Sequence, residues 1–169
     1  MVFHYVYCLC NSRWEKETIR VHRIAAGAII IQKDKILLVR YKGRNKKSYL
    51  VGPGRAVHSD DESITQALKR EVKEETGLEV NPFKLLFVED LLSSRNRHAK
   101  IWFLCSITGG QVEKTQGAIN EGIIEVGWYR RDELTNEVVY PPVLLDESWQ
   151  SFSTDSFKSR YLELRIADF

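Results

Sequence analysis

Three glutamates in the middle of the chain, Glu71, Glu74 and Glu75, have the spacing of neighbours on one face of a helix. On a helical wheel they continue the apolar stripe of that helix, whereas Lys69 and Lys73 fall on the opposite side. A solvated acidic face fits this pattern poorly, because clustered like charges need a neutralising partner. Hard divalent cations bind carboxylate oxygens, and Mg²⁺ keeps waters and substrate phosphates as its other ligands. The spacing favours a metal site at these three glutamates, with Mg²⁺ as the expected ion and Mn²⁺ as an alternative.

The helix that carries the glutamates is predicted to begin after Ser63 and to end at Gly77. Its apolar residues recur at intervals of three and four, Ser63 and Gln66 match a capping box, and glycine commonly ends helices. Arg70 lies beside the glutamates, where it can reach Glu74 four residues on or orient another carboxylate of the cluster. An ordinary surface ion pair is the other interpretation of Arg70.

Apolar runs on both sides of this helix predict strands. The runs are residues 24–31, 36–39, 83–88, 100–107, 123–129 and 161–166. A sharp Gly-Pro-Gly turn at 52–54 leads towards the helix. A second helix is predicted to start near Asp132 and to be broken by Pro141 and Pro142. Strands on both sides of one strong helix argue for the α/β class rather than a helical bundle or a β-sandwich.

The charged residues of the helix resemble the signature of the Nudix hydrolases, G-x5-E-x7-R-E-U-x-E-E-x-G-U, in which U is a bulky aliphatic residue. Eight of the nine defined positions match, namely Glu62, Arg70, Glu71, Val72, Glu74, Glu75, Gly77 and Leu78. The resemblance covers about residues 22–136. It implies a Nudix-type α/β/α sandwich with a mixed β-sheet at 21–140. An N-terminal arm or strand at 1–20 and a C-terminal extension at 141–169, packed on the domain, complete the expected organisation.

One position departs from the signature. Ala56 stands where the family has glycine, Arg55 precedes it, and Gly54 comes two residues too early. In the family this loop approaches the metal with a backbone carbonyl. If the backbone at 56 required a positive φ, alanine would be strained by about 1 kcal/mol or more. Arg55 either binds phosphate directly or is simply exposed to solvent. The departure from the signature affects the expected activity and not the expected fold.

The resemblance implies attack of water on a diphosphate linkage that joins a nucleoside diphosphate to another group. A divalent ion would offset charge on the diphosphate and activate water, and positioned charges would do most of the remaining catalysis. The predicted catalytic residues are Arg70, Glu74 and Glu121. The residues predicted to bind substrate are Arg55, Arg40 and Tyr49.

The general base is expected outside the signature. Glu121 is favoured because Asn120–Gly122 has the composition of a loop edge, from which a carboxylate can reach substrate. The other candidates are Glu89, Glu113 and Glu125. Glu62 is expected to orient the loop or Arg70, or simply to stabilise the start of the helix.

Composition limits the partners. The chain has 169 residues with 25 Lys plus Arg and 23 Asp plus Glu, so its net charge of +2 gives no general attraction to nucleic acid or anionic lipid. A small nucleotide-type substrate is therefore expected, with no membrane; nucleic-acid binding through the basic stretch 40–47 is a third, less favoured option. Three cysteines cannot form a paired disulfide framework and fit a reducing cytoplasm. The apolar residues 1–10 are too short to span a bilayer and are a candidate contact in a homodimer.

A catalytically weak Nudix-like module that binds or senses a nucleotide is the alternative function. It is considered because Arg55 and Ala56 alter the loop that should approach the metal. Both functions include binding of Mg²⁺, so only turnover of a substrate distinguishes them.

Overall fold

The computed structural model of the protein describes residues 21–43, 47–61, 63–93 and 96–166. The predictions for the N-terminal arm at 1–20 and for Glu62 lie outside these residues. Within the described ranges, none of the helices has the length and apolar character needed to cross a membrane.

The described residues form eight strands and three α-helices. The strands are β1 Val21–Gln32, β2 Lys35–Lys42, β3 Ser48–Val51, β4 Leu78–Leu92, β5 Asn96–Gly110, β6 Ile123–Arg130, β7 Val139–Tyr140 and β8 Arg160–Ile166. The helices are α1 Ile64–Thr76, α2 Gln116–Asn120 and α3 Val143–Asp146, with 3₁₀ turns at Asp132–Leu134 and Trp149–Ser153. Each strand predicted from an apolar run is confirmed.

The strands form a mixed sheet in the order β7-β3-β2-β1-β5-β4-β8, with β6 paired to β2. The central strand β1 runs parallel to β5 and antiparallel to β2. Because strand side chains alternate, Ile29 enters the core on one face of the sheet while Ala28 and Ile30 enter the core on the other. The sheet is therefore buried on both faces, and the predicted α/β/α sandwich is confirmed.

Helix α1 covers one face of the sheet with Leu68 and Val72, both fully buried. Its predicted limits are confirmed, since the Ser63 hydroxyl accepts a hydrogen bond from the Gln66 N–H and Gly77 has a left-handed φ of 75°. The helical-wheel prediction that all three glutamates lie on the apolar side is wrong for Glu74. Glu71 and Glu75 are buried, but the Glu74 side chain is 48% exposed at the edge of the helix.

The other face of the sheet is covered by the segment that follows β7. Trp149 and Phe152 are buried there in one cluster with Phe87 and Trp102. The Phe152 ring meets the Phe87 ring edge-on at 5.6 Å between centroids. Strand β8 then pairs in parallel with β4.

Replacing Phe152 by alanine is expected to lower the free energy of unfolding by about 3–5 kcal/mol, because a fully buried ring is removed and its neighbours cannot close the space. Denaturant unfolding followed by circular dichroism measures the change. Phe83→Ala is the matched control, since that ring is 55% exposed and its loss should cost about 0.5 kcal/mol or less. Equal losses in the two variants would show that residues after 146 do not stabilise the sheet.

Between β5 and β7 one expectation is wrong and one short helix has no counterpart among the expectations. The helix predicted from Asp132 is a single 3₁₀ turn, because Leu134 is its only buried residue and no apolar stripe follows. Helix α2 was not predicted, since its five residues bury only Ala118. Thr115 caps it by accepting the Ala118 N–H at 3.0 Å.

Cys105 on β5 is a buried thiol, 4% exposed, in the core beneath α1. Burial raises the pKa of this thiol to about 12. At pH 8 only about one thiol in ten thousand would be ionised, so iodoacetamide should modify Cys105 only after unfolding. Peptide mass spectrometry with and without urea measures the labelling. Modification of the native protein at the unfolded rate would contradict the burial.

Candidate active site

Three carboxylates meet between α1 and the end of α2. Single oxygens of Glu71, Glu74 and Glu121 all lie within 4.8 Å of one another. Glu71 and Glu74 are one turn apart on α1, and Glu121 is the C-cap residue that directly follows α2. The Thr115 hydroxyl, which caps α2, also donates to the backbone carbonyl of Glu74 and so joins the two helices. The fold thus places the predicted base beside two of the three predicted metal ligands.

Two oxygens of this group, Glu71 Oε2 and Glu121 Oε2, are buried without a hydrogen-bond partner among the described residues. Burial raises the pKa of Glu71, and the adjacent Arg70 guanidinium opposes that rise. A buried carboxylate oxygen with no partner is unfavourable unless it is protonated or meets a cation. The donor set consists of oxygens only, which Mg²⁺ and Mn²⁺ prefer. The residues present therefore fit a hard divalent cation.

Glu75, the third predicted ligand, lies apart from this group. Its carboxylate accepts hydrogen bonds from the Tyr41 hydroxyl at 3.0 Å and from the Gly54 N–H at 2.8 Å. Burial raises the pKa of Glu75, while the Gly54 N–H and the Lys100 ammonium lower it. Glu75 fixes the loop after β3 against α1 in this structure. Its assignment as a metal ligand stays a prediction.

Arg70 makes the contacts that the sequence predicts and one more. Its Nη1 lies 2.7 Å from Glu71 Oε1 and 3.3 Å from Glu74 Oε2. The other edge of the guanidinium binds both carboxylate oxygens of Asp61 at 3.1 and 3.0 Å. A planar guanidinium held by three carboxylates has little freedom, so Arg70 orients Glu71 towards Glu74 and Glu121.

Gly54, rather than residue 56, has the unusual backbone of this loop. Its φ is 123°, and a Cβ added there would lie 2.4 Å from the backbone oxygen of Ala26. Ala56 instead pairs with Ala25 as an isolated β-bridge. Among the described residues other than glycine, only Lys33 has a positive φ. The strain considered for alanine at position 56 is therefore absent.

A cavity of about 360 Å³ opens beside this loop. Aromatic and basic side chains dominate its walls: Tyr41, Tyr49, Trp102, Tyr140, Arg23, Arg55, Lys100 and Arg165. The Tyr49 ring stacks on Tyr41 and meets Tyr140 edge-on, both at 5.6 Å between centroids. Ring surfaces combined with positive charge suit a molecule with a nucleobase and phosphates. Two of the three predicted substrate residues, Arg55 and Tyr49, line this cavity.

Arg40, the third predicted substrate residue, does not line this cavity. Its guanidinium is paired with Glu125 at 2.9 Å and with Glu137 at 2.9 Å. Substrate binding by Arg40 stays a prediction. The same contacts hold Glu125, one of the other candidates for the general base.

Another of those candidates, Glu89, is buried and fully engaged. It accepts hydrogen bonds from Trp102 Nε1 at 3.0 Å and from Arg165 Nη2 at 2.8 Å. A carboxylate that accepts hydrogen bonds from an indole and a guanidinium is held in place by them, which makes Glu89 a poor candidate for the general base.

Lys100 is a cavity residue that sequence interpretation missed. Its ammonium donates to the Gly54 carbonyl at 3.3 Å and lies 4.3 Å from the centre of the Trp102 ring. Burial lowers the pKa of Lys100 to about 8, against the raising effect of Glu75. The sequence did contain a signal for Lys100, because side chains alternate along β5 and Lys100 therefore lies on the same face as Trp102.

Comparison with known proteins gives relatives for most of the chain. The proteins named 8-oxo-dGDP phosphatase NUDT18 from Homo sapiens and Mus musculus are 33% and 31% identical to it over 112 residues. Each alignment covers 66% of this chain and 33% of the relative, so the chain spans about a third of the length of these curated relatives.

Solved structures share the fold. An ADP-ribose pyrophosphatase from Streptococcus suis has a TM-score of 0.60 and 23% identity, covering 82% of this chain and 98% of that one. The ORF135 protein of E. coli has a TM-score of 0.64 and 20% identity, covering 82% and 96% respectively. The family model described as NUDIX domain matches residues 21–146, which include α1 and its glutamates. The chain belongs to the Nudix family.

Proposed function

We propose that the chain hydrolyses a diphosphate linkage in a nucleoside diphosphate joined to a further group, and that it does so with Mg²⁺, or with Mn²⁺ in its place. The observation that supports this most is the meeting of Glu71, Glu74 and Glu121, in which two buried oxygens have no partner among the described residues. The aromatic and basic cavity lies beside the same site through Arg55.

The ion would be held by Glu71, Glu74 and Glu121, with Glu75 as the further ligand predicted from the signature. Such an ion supplies Lewis acidity, which offsets charge on the diphosphate oxygens and makes water a better nucleophile. Arg70 keeps Glu71 and Glu74 in place, as its contacts at 2.7 and 3.3 Å support.

Glu121 is the proposed base and would receive the proton of the attacking water on a carboxylate oxygen. Arg55 would bind a phosphate oxygen, because its guanidinium is exposed and lines the cavity. Tyr49 would stack on the nucleobase. Two contacts support this grouping: Tyr49 and Arg55 line the same cavity, and Arg55 also pairs with Glu121.

The first substrates to consider are purine nucleoside diphosphates, both with and without a further group on the diphosphate. The relatives are named for 8-oxo-dGDP, and a structural neighbour is named for ADP-ribose. Both compounds contain a diphosphate and a purine, which the basic charge and the rings of the cavity could bind.

A substrate panel tests the proposal. The natural chain is incubated with 8-oxo-dGDP, dGDP, ADP-ribose and a UDP-sugar in Mg²⁺, Mn²⁺ or EDTA, and the nucleotides are separated by chromatography. At least one compound should be hydrolysed with a divalent ion and not in EDTA. Glu74→Gln should lower kcat by about 100-fold or more, because a charged ligand is lost.

Glu79→Gln is the matched control, since its carboxylate pairs with Lys73 at 2.8 Å and takes no part in the acidic group. Its kcat should stay within twofold of the natural value. If no compound is hydrolysed faster than by Glu74→Gln, the proposed activity is rejected. Binding of a panel compound without turnover would instead support the nucleotide-binding module.

A further inference from the structure

Arg55 reaches the acidic group from the loop between β3 and α1. Its Nη1 lies 2.9 Å from Glu121 Oε1. The backbone of Arg55 is fixed, because its carbonyl accepts the Ala26 N–H at 2.9 Å and the next residue, Ala56, pairs with Ala25. The guanidinium therefore extends from a rigid point of the loop to a carboxylate on a different element.

The two oxygens of Glu121 have different surroundings. Oε1 pairs with Arg55, whereas Oε2 is buried and has no hydrogen-bond partner among the described residues. Glu121 ends a helix of only five residues and is followed by Gly122 with a φ of 81°, so α2 itself gives little support to the side chain. Fixing Oε1 also fixes the direction of Oε2, since the carboxylate is planar.

Arg55 has donors beyond the one used by Glu121. A guanidinium carries five N–H groups in a rigid fork, and this side chain is 56% exposed where it lines the cavity. One edge can therefore hold Glu121 while the remaining N–H groups bind a phosphate oxygen of the substrate.

We propose that Arg55 is a positioning residue for Glu121 and, at the same time, a phosphate-binding residue. This inference rests on the proposed function. It deepens that function by linking the metal site to the substrate cavity, because Arg55 aligns Glu121 in the metal site and also contacts the substrate. Metal and substrate should then favour each other's binding through Arg55, and the coupling should be equal in both directions.

The direction in which metal affinity changes in one variant distinguishes the positioning role of Arg55 from a purely electrostatic effect. Removing a positive charge near a cation site raises metal affinity if charge alone matters. Removing a group that aligns a carboxylate of the site lowers metal affinity, as loss of outer partners of metal ligands generally does. The effect of Arg55→Met on metal affinity therefore has opposite signs in the two cases.

The experiment is calorimetric titration of Mn²⁺ into the natural chain, Arg55→Met, Arg55→Lys and Arg23→Met. Arg23 is the matched control, because it is an exposed arginine of the same cavity. Arg55→Met should weaken Mn²⁺ binding by about 10-fold. Arg55→Lys should recover part of the loss, and Arg23→Met should stay within twofold. Circular dichroism checks that each variant is folded.

A second titration uses α,β-methylene-ADP, a diphosphate that is not hydrolysed at that linkage. In the natural chain, Mn²⁺ should tighten its binding, and this enhancement should fall by about fivefold in Arg55→Met. If Arg55→Met binds Mn²⁺ as tightly as the natural chain or more tightly, the positioning role is wrong even when the panel shows turnover. If the natural chain binds no Mn²⁺, both this inference and the proposed function are wrong. Weaker binding in Arg55→Met without turnover of any compound would support the inference and reject the activity.

Discussion

Glu121→Gln is expected to lower kcat by about 1,000-fold and to change KM much less. Glutamine keeps the shape of the side chain but accepts no proton at neutral pH and has no charge, and a general base typically contributes about 10² to 10⁴ in rate. The same substitution removes one of the three carboxylates that meet within 4.8 Å, so the Mg²⁺ concentration needed for half-maximal rate should rise. Steady-state kinetics over a range of Mg²⁺ concentrations measures both changes.

Glu113→Gln is the control for this variant, because the sequence offers Glu113 as another candidate for the base and it lies outside the acidic group of the described residues. Its kcat should remain within about twofold of the natural chain. A large loss in Glu113→Gln together with a small loss in Glu121→Gln would reassign the base.

Gly54→Ala is expected to lower the free energy of unfolding by about 3 kcal/mol. A φ of 123° is strained for alanine, and the new Cβ would lie 2.4 Å from the backbone oxygen of Ala26. The loop must shift to relieve this contact, and the shift would pull the Gly54 N–H away from Glu75 and the Gly54 carbonyl away from Lys100. Denaturant unfolding measures the stability, and kcat should fall as well.

Ala56→Gly is the informative comparison, since it restores the glycine of the family signature. Ala56 has an ordinary backbone in this structure, so the substitution should only increase the freedom of the unfolded chain, at a cost of about 0.5–1 kcal/mol. A variant that is much more stable than the natural chain would show that position 56, and not Gly54, carries the strain.

Helix α1 illustrates which structural features can be predicted from short-range sequence patterns. Its start at Ser63, its end at Gly77 and its buried stripe were predictable, because capping and helical periodicity depend only on neighbouring residues. The strands were predictable for the same reason, since alternation and apolar runs are local. The short elements α2 and the 3₁₀ turn at Asp132–Leu134 were not, because one buried side chain produces no periodic signal.

The candidate site was predictable in part. The signature identified Glu71, Glu74 and Arg70, and the loop composition favoured Glu121, all four of which meet in space or touch that group. The partners of Glu75 were not predictable, because Tyr41 and Gly54 come from elements that only the folded sheet brings against α1. The contact of Lys100 with Gly54 was not predictable, because it crosses 46 residues of sequence.

The sequence by itself determined the family and the glutamate-bearing helix, and it predicted a site of oxygen ligands, since each depends on residue type and short-range spacing. The tertiary structure decided which oxygens come together: Glu121 joins Glu71 and Glu74, while Glu75 turns to the loop. It also showed that Gly54, and not position 56, has the backbone conformation that requires glycine. The physical reason is that periodicity sets the face on which a side chain lies, whereas its partner is set by packing between residues distant in sequence.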